Sequence, residues 1–202
     1  DEMMLAYFTS GTTADPKLVI RDNSYAKAHE ITGRFWLDLK YHDVPWTLSD
    51  TGWAKAAWGM VFGPWMAGAA IVLYDGDTRF EVVCHLKLIA KLRVSTFCAP
   101  PTVYRLFTQH DLTTYDLSSI RHSVSAGEPL NPEVIRVWKE TTGTVVHGGY
   151  GQTETVNVVA NFPFMPVRPG SMGKAAPGFT VNIVNDEGVP ISNNDIGHIA
   201  IK

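Results

Sequence analysis

Cysteine is scarce, with only Cys84 and Cys98 in 202 residues. They lie far apart without C-x-x-C spacing, which removes zinc-site and disulfide-framework readings and fits a reducing, cytoplasmic setting. The histidines (His29, His42, His85, His110, His122, His147 and His198) show no H-x-H or H-x-x-x-H spacing, so none is read as a metal ligand. There is no basic excess either: 17 Lys and Arg stand against 20 Asp and Glu, a net charge of −3. Nothing is therefore present to neutralise a polyanion, and neither nucleic acid nor an anionic membrane is an expected partner. Long apolar runs are missing as well. Gly and Pro interrupt even 58–73, below the roughly 18 to 20 uninterrupted apolar residues of a membrane span. The start, Asp1-Glu2 before Met3 to Phe8, lacks a basic targeting region. The end, Gly197 to Lys202, is strand-like with no closing turn. Both ends read as interior sequence, so a central piece of a longer protein is expected.

What remains is ordinary globular material, 45% hydrophobic and 18% charged, enough for one sizeable core. The spacing predicts a strand from Met3 to Phe8, a polar loop from Thr9 to Lys17, and a strand over Leu18 to Arg21. A helix capped at Asn23 or Ser24 runs to about Leu39, with Ala28, Ile31, Phe35 and Leu39 at helical spacing. A second helix covers Trp53 to Met66, and a buried strand Ala69 to Tyr74. Then follow helix 80–92, strand 95–99, helix 102–109, strand 119–125, helix Pro132 to Thr142 and strand 144–148. That alternation implies an α/β fold with a mostly parallel sheet and helices on both faces. From about Gly170 the texture turns to short alternating strands, notably Thr180 to Val184 and His198 to Ile201 around the turn Asn185 to Gly188. The expected division is 1–169 for the α/β core and 170–202 for the start of a smaller β-rich unit.

Several loops carry chemistry. Thr9 to Lys17 is rich in small and hydroxyl residues and ends in a lysine, a composition suited to cradling an anion. It is not a G-x-x-x-x-G-K-[ST] loop, and alone it would read as a hairpin turn. Gly148-Gly149-Tyr150-Gly151-Gln152-Thr153-Glu154 follows a predicted strand, at the strand end where α/β sheets bind ligands. Its glycines allow close backbone approach, Tyr150 offers a ring face, and Glu154 a hard oxygen for Mg²⁺. Ser125-Ala126-Gly127-Glu128-Pro129-Leu130 follows the neighbouring strand, and Pro169 to Lys174 reads as a turn. Each is weak alone; together, in this order, they are not.

Tyr7-Phe8-Thr9-Ser10-Gly11-Thr12-Thr13 with Pro16-Lys17, Ser49-Asp50-Thr51-Gly52-Trp53, Tyr150-Gly151-Gln152-Thr153-Glu154 and Pro169-Gly170-Ser171-Met172-Gly173-Lys174 resemble the adenylate-forming (acyl-CoA synthetase, AMP-binding) superfamily. The resemblance covers essentially the whole chain. The Ser-Asp-Thr-Gly-Trp segment, Ala99-Pro100-Pro101-Thr102-Val103-Tyr104-Arg105 and the Gly-Ser-Met-Gly-Lys turn are most similar to the medium-chain acyl-CoA synthetase and acetyl-CoA synthetase branch. The resemblance implies a central fragment of the family's N-terminal domain, with the mobile C-terminal domain absent. It implies ATP, Mg²⁺ and coenzyme A, and a carboxylic acid, of medium-chain fatty or related type, activated as acyl-AMP and passed to the thiol.

By the same resemblance Thr9, Ser10, Gly11, Thr12, Thr13 and Lys17 hold the β- and γ-phosphates. Gly127, Glu128 and Pro129 border the adenine, Tyr150 stacks on it, and Gly149, Gly151 and Gln152 complete that loop. Thr153 contacts the α-phosphate, Glu154 binds Mg²⁺, and Trp53 and Gly149 wall the acyl pocket; Lys17, Thr153 and Glu154 are the expected catalytic groups. Against these stand plainer readings: Trp53 as a core aromatic, Glu154 as a solvated loop carboxylate. Two departures from the family pattern stand out, Ala14 where Gly is usual and His198 where Glu is usual. Two other functions compete: an amino-acid adenylation domain, which would want an Asp in 53–58 and finds none, and a non-catalytic nucleotide-binding remnant. A lone fragment is expected to turn over weakly or not at all.

Overall fold

The computed structural model describes residues 2–9, 15–76, 79–192 and 194–202. An antiparallel hairpin opens it, Met3–Thr9 (β1) against Lys17–Asp22 (β2), with Thr9 opposite Lys17. Asp22 then accepts hydrogen bonds from the Ser24 backbone N–H and hydroxyl, and turns the chain into helix Ser24–Ile31 (α1). The helix predicted to run regularly to Leu39 instead changes to a π-helical segment at Thr32–Trp36. Pro45–Thr47 (β3) follows, a short strand not anticipated from the sequence.

The second predicted helix is also divided, into Ala54–Ala56 (α2), a π-helical segment Ala57–Phe62, and Gly63–Ala67 (α3). Glycines explain how it packs. A Cβ on Gly33 would sit 3.0 Å from the Gly63 Cα, so the two helical stretches cross backbone to backbone. A Cβ on Gly59 would lie 2.7 Å from Thr47 Cγ2, and the Thr47 hydroxyl donates to the Gly59 carbonyl at 2.9 Å. The predicted strand 69–74 is corrected. It is extended chain lying along β3, joined by Ala70 N–H to Asp43 O and Val72 N–H to Pro45 O, and forms no strand ladder.

Next come Val82–Leu92 (α4), Thr96–Cys98 (β4), Pro101–Phe107 (α5), His122–Ala126 (β5), Pro132–Thr142 (α6) and Val146–Gly151 (β6). Helix α6 is bounded by local signals. Asn131 caps it by accepting from Glu133 N–H at 2.8 Å, Pro132 begins it, and Gly143 ends it at φ +75°. Strands β3 to β6 pair in parallel. Asn157–Ala160 (β7) and Lys174–Ala175 (β8) then add antiparallel, completing a six-stranded sheet of order β3-β4-β5-β6-β7-β8. Val181–Val184 (β9) and His198–Ile201 (β10) make a separate antiparallel pair.

Side chains alternate across the sheet, so Phe97 and Cys98 of β4 face different cores. On one face Phe97, Tyr104, Phe107 and Trp138 interlock, with centroids 4.9 Å apart for Tyr104 and Trp138 and 5.8 Å for Phe97 and Phe107. Helices α4, α5 and α6 cover that face. On the other face Trp36 and Leu37 meet Cys98, Val124 and Ala160. Asp43 ties the N-terminal ends of three strands. It accepts from Lys40 N–H, from Ser95 Oγ at 2.7 Å and from Arg121 Nε at 2.8 Å. Burial, the largest influence on Asp43, pushes its carboxyl up; the bonds from Arg121, Ser95 and Lys40 together outweigh this and hold it below the ordinary value.

Candidate active site

The C-terminal ends of β5 and β6, the end of β1 and the start of α2 surround a cavity of about 340 Å³. Each wall has a local reason to be there. Gly52 N–H donates to Asp50 Oδ1 at 2.7 Å, which turns the chain so that Trp53 stands as the residue before α2 with extended backbone. Gly127 follows β5 at φ +106°, a conformation glycine adopts without strain, and bends the chain away from the cavity mouth. Beyond β6, Gln152 and Thr155 close a turn: the Gln152 N–H donates to Thr155 Oγ1 at 2.9 Å and the Thr155 N–H to Gln152 O at 3.0 Å.

Among the described residues one cation, Lys55, lines this cavity, and a second, Arg21, braces a wall from outside the lining. Arg21 on β2 donates to the Thr153 carbonyl, and its guanidinium lies 5.1 Å from the centre of the Tyr25 ring. It thereby pins the loop that carries Thr153. Lys55 on α2 donates to the Ala126 carbonyl at 2.9 Å and bridges the walls formed by α2 and β5. Beneath lies Cys98, whose thiol burial pushes up to about 11 against the opposing pull of the Lys55 ammonium, so it is neutral. Aromatic rings form the floor. Trp36 and Trp58 are 5.5 Å apart, and a Cβ on Gly149 would meet the Trp36 ring at 2.5 Å. Tyr7, Tyr25 and His29 continue this layer. Burial pushes the Tyr25 hydroxyl well up and His29 down to about 4.

The structure brings Thr9, Trp53, Gly127, Gly151, Gln152 and Thr153 to this one cavity. Lys17 is exposed directly across the hairpin from Thr9, while Ser10, Gly11, Thr12 and Thr13, with Ala14, lie outside the described residues. Trp53 is 66% exposed and stands at the rim as a wall residue; the core-aromatic reading does not hold for it. Glu128 is exposed and held by the Thr102 hydroxyl, which lies 2.9 and 3.1 Å from its two oxygens, and Pro129 is exposed beside it. Gly149 sits under Trp36, and Tyr150 packs partly against the Tyr7, Tyr25 and Val156 cluster.

Glu154 is exposed on the turn after β6, and no group of three His, Cys, Asp or Glu among the described residues forms a metal cage. Glu154 is an exposed hard carboxylate next in sequence to Thr153, which lines the cavity, and Mg²⁺ commonly binds through one or two carboxylates together with substrate phosphates and water. At position 198, the histidine Nε2 lies 2.8 Å from Asp186 Oδ1 on the far hairpin, away from the cavity. Sequence reasoning missed Arg21, Lys55, Trp36 and Trp58. One signal was available: Lys55 is the sole charged residue from 54 to 74.

The sequence profile of the AMP-binding enzyme family matches residues 1–202. The chain belongs to this family. Mouse acyl-coenzyme A synthetase ACSM3, a mitochondrial protein, is 46% identical over 203 residues, covering 100% of this chain and 35% of the relative. The 4-hydroxybutyrate–CoA ligase 1 of Metallosphaera sedula is 41% identical over 203 residues, covering 100% of this chain and 36% of the relative. Among solved structures, an acyl-CoA synthetase of Brucella canis superposes with a TM-score of 0.91 at 33% identity, covering 98% of this chain and 37% of that one. The chain thus spans about a third of the length of the relatives it matches. As an AMP-binding family member it shares the α/β fold expected from its alternating strands and helices.

Proposed function

We propose that this chain supplies the nucleotide- and acid-binding centre of an AMP-forming acid–thiol ligase, whose reaction makes acyl-AMP and then acyl-CoA. The observation that carries this reading is the convergence of Thr9, Gly127 and Gly151 to Thr153 on one cavity beside Trp53. The carboxylate of the acid attacks the α-phosphate of ATP, releasing pyrophosphate, and the thiol of coenzyme A then displaces AMP. Such transfers depend on charge neutralisation and in-line positioning more than on covalent help.

In this reading Thr9 and Lys17, with Ser10 to Thr13 between them, hold the departing phosphates. Thr153 donates to the α-phosphate from a loop that Arg21 fixes through its backbone. Glu154 would hold Mg²⁺, which when bound offsets phosphate charge. Gly127, Glu128 and Pro129 border the adenine, with Thr102 holding the Glu128 carboxylate in place, and Tyr150 offers the opposite face. The acid occupies the aromatic part of the cavity between Trp53, Trp58 and Trp36. Residues 1–169 and 170–202 are proposed as parts of two units of that ligase, although β8 at 174–175 returns to the main sheet. Relatives named for a mitochondrial location favour that compartment over the cytoplasmic one.

The substrate is proposed as a short- to medium-chain acid, a range that includes the acid for which the Metallosphaera relative is named. The test is pyrophosphate release by the polypeptide that carries this chain, with MgATP and acids from acetate to octanoate, 4-hydroxybutyrate and benzoate, with and without coenzyme A. Acid-dependent release, with a thioester formed when the thiol is present, is expected. Binding of MgATP with no release for any acid would instead identify a nucleotide-binding remnant.

A further inference from the structure

Resting on the reading just given, we propose that Arg21 is a positioning residue of the nucleotide site, because it clamps the central peptide of the turn that carries Thr153 and Glu154. Gln152 to Thr155 form that turn, closed by the Thr155 N–H donating to Gln152 O at 3.0 Å. Thr153 and Glu154 are its central residues, and the peptide joining them presents the Thr153 carbonyl that Arg21 Nη2 holds. A peptide unit is planar and trans, so holding its carbonyl also sets the Glu154 N–H and the torsions on either side, ψ of Thr153 and φ of Glu154. Those torsions separate type I from type II turns. Type II needs positive φ at the second central residue, and Glu154 lacks it: the described non-glycine residues with positive φ are Asp38, Arg93 and Asn194. One hydrogen bond therefore sets how both side chains leave the turn, the hydroxyl assigned to the α-phosphate and the carboxylate assigned to Mg²⁺.

The clamp comes from the hairpin that ends in the phosphate loop. Leu5 pairs with Arg21 and Tyr7 with Val19, so all of them share one face of β1–β2, on which Tyr7 is buried, whereas Phe8, Leu18 and Ile20 are exposed on the other. Alternation thus turns Arg21 inward, on the same strand as Lys17. Its guanidinium lies over the Tyr25 ring and its Nε is buried with no partner, so the grip on Thr153 runs through the tip of the side chain. Among the described residues this is the one hydrogen bond between the hairpin and the turn. Without it the turn keeps only its own closing bonds, with Gln152 and Glu154 exposed. The tie relates the grip on the departing phosphates to the contact on the α-phosphate, and in-line attack depends on that relation.

The test uses the polypeptide that carries this chain, unaltered and as Arg21→Met and Arg21→Lys. Hydrogen exchange reads the turn itself. The amides of Gln152 and Thr155 are expected to exchange about ten-fold faster in Arg21→Met, the size expected of one charge-assisted hydrogen bond at a partly exposed group. Arg21→Lys slows them again, since an ammonium still donates to a carbonyl. Acid-dependent pyrophosphate release should lose about 100-fold in kcat in Arg21→Met, with the KM for the acid changed less than about three-fold, and recover in part in Arg21→Lys. MgATP binding, read by the fluorescence of Trp36, Trp53 and Trp58 in the cavity wall, should weaken about ten-fold in Arg21→Met. If Arg21→Met does not fold, Arg21→Gln replaces it, because its amide ends about where the unpartnered Nε lies and falls short of Thr153. Unchanged exchange in a folded Met or Gln variant overturns the proposal, as does a loss confined to KM or one that Arg21→Lys does not reduce. Pyrophosphate release that Arg21→Met leaves intact sinks the role of Arg21 alone. No release with any acid, while exchange and MgATP binding still depend on Arg21, sinks the ligase reading alone; failure of MgATP to bind the unaltered protein sinks both.

Discussion

The two faces of the sheet handle buried polarity differently. On the α4–α6 face polar side chains in the core have partners, whereas Thr96 Oγ1 of β4, at an alternate position that points to the other face, is buried without one. Trp138 Nε1 donates to Ser123 Oγ at 3.0 Å, Ser125 Oγ to the Ala99 carbonyl at 2.8 Å, and the Tyr104 hydroxyl lies 3.0 Å from the carbonyls of Phe97 and Val124. Around the cavity, Thr9 Oγ1, Arg21 Nε, His29 Nε2 and Trp36 Nε1 are buried without one. Buried polar groups are normally paired, and exceptions gather where a protein binds or reacts. The first region is organised to persist, whereas the second holds polar groups in place without satisfying them.

Breaking the satisfied region has the largest expected effect. Trp138→Ala removes a fully buried ring that contacts Phe97, Tyr104 and Phe107 and takes one of two partners from the Ser123 hydroxyl, which keeps Thr144 Oγ1 at 3.1 Å. It should cost about 3–5 kcal/mol, read as a lowered midpoint in urea unfolding. Acid comes next. Burial pushes His29 and His122 down to about 4 from an ordinary value of 6.5. The unfolded chain therefore takes up protons below pH 6.5 that the folded chain refuses until about pH 4. Stability should be level above that window and fall as pH drops through it, by on the order of 3 kcal/mol for each histidine. Thermal unfolding in buffers from pH 7.5 to 4 reads this; a midpoint that rises toward pH 4 would contradict it. Asp38 and Asp43, both held below the ordinary 3.8, add their loss only at lower pH.

Gly149→Ala tests the cavity side. Its methyl would meet the Trp36 ring at 2.5 Å, so the ring must move into the cavity. A loss of about 1–3 kcal/mol in stability is expected together with weakened acid binding; acid binding left intact would mean Trp36 does not form the floor. The smallest effects make the sharpest contrast. Ser125→Ala deletes a satisfied bond and should cost about 1 kcal/mol, whereas His29→Phe removes an orphaned Nε2 at the loss of a long 3.4 Å contact from Nδ1 to Thr32 Oγ1 and should be near neutral. The same variant should also shallow the acid-induced loss. If both substitutions cost alike, the contrast between the two faces fails.

Much of the fold was legible because its signals are local. Helix α6 runs over Pro132–Thr142 as read, since Asn131, Pro132 and Gly143 mark both ends within the segment itself. The parallel strands β4, β5 and β6 were recognised from apolar runs between helices, within a few residues at their ends. The failures have a common cause. Residues 69–74 carry the apolar content of a strand, but content does not supply a partner on both edges, and the segment only lies along β3. Strands β7 and β8 join the sheet through close backbone approaches at Gly151 and Gly173, where a Cβ would come within 2.2 Å of the Val156 carbonyl and 2.0 Å of the Ala160 carbonyl. In the sequence those glycines read as loop.

The candidate site divides in the same way. Thr9, Gly127 and Gly151 to Thr153 were readable because the chemistry of an anion-binding or nucleotide loop is written in consecutive residues. By itself the sequence therefore determined the α/β alternation, the AMP-binding family and the loops that define it. Only the tertiary structure decided that Lys55 faces the cavity and that Arg21 holds its far wall. Their partners, Ala126 and the Thr153 carbonyl, lie 71 and 132 residues away along the chain. No local propensity encodes contacts of that range; they exist only once packing of the sheet and the glycine crossing at Gly33 and Gly63 have set the distance between walls.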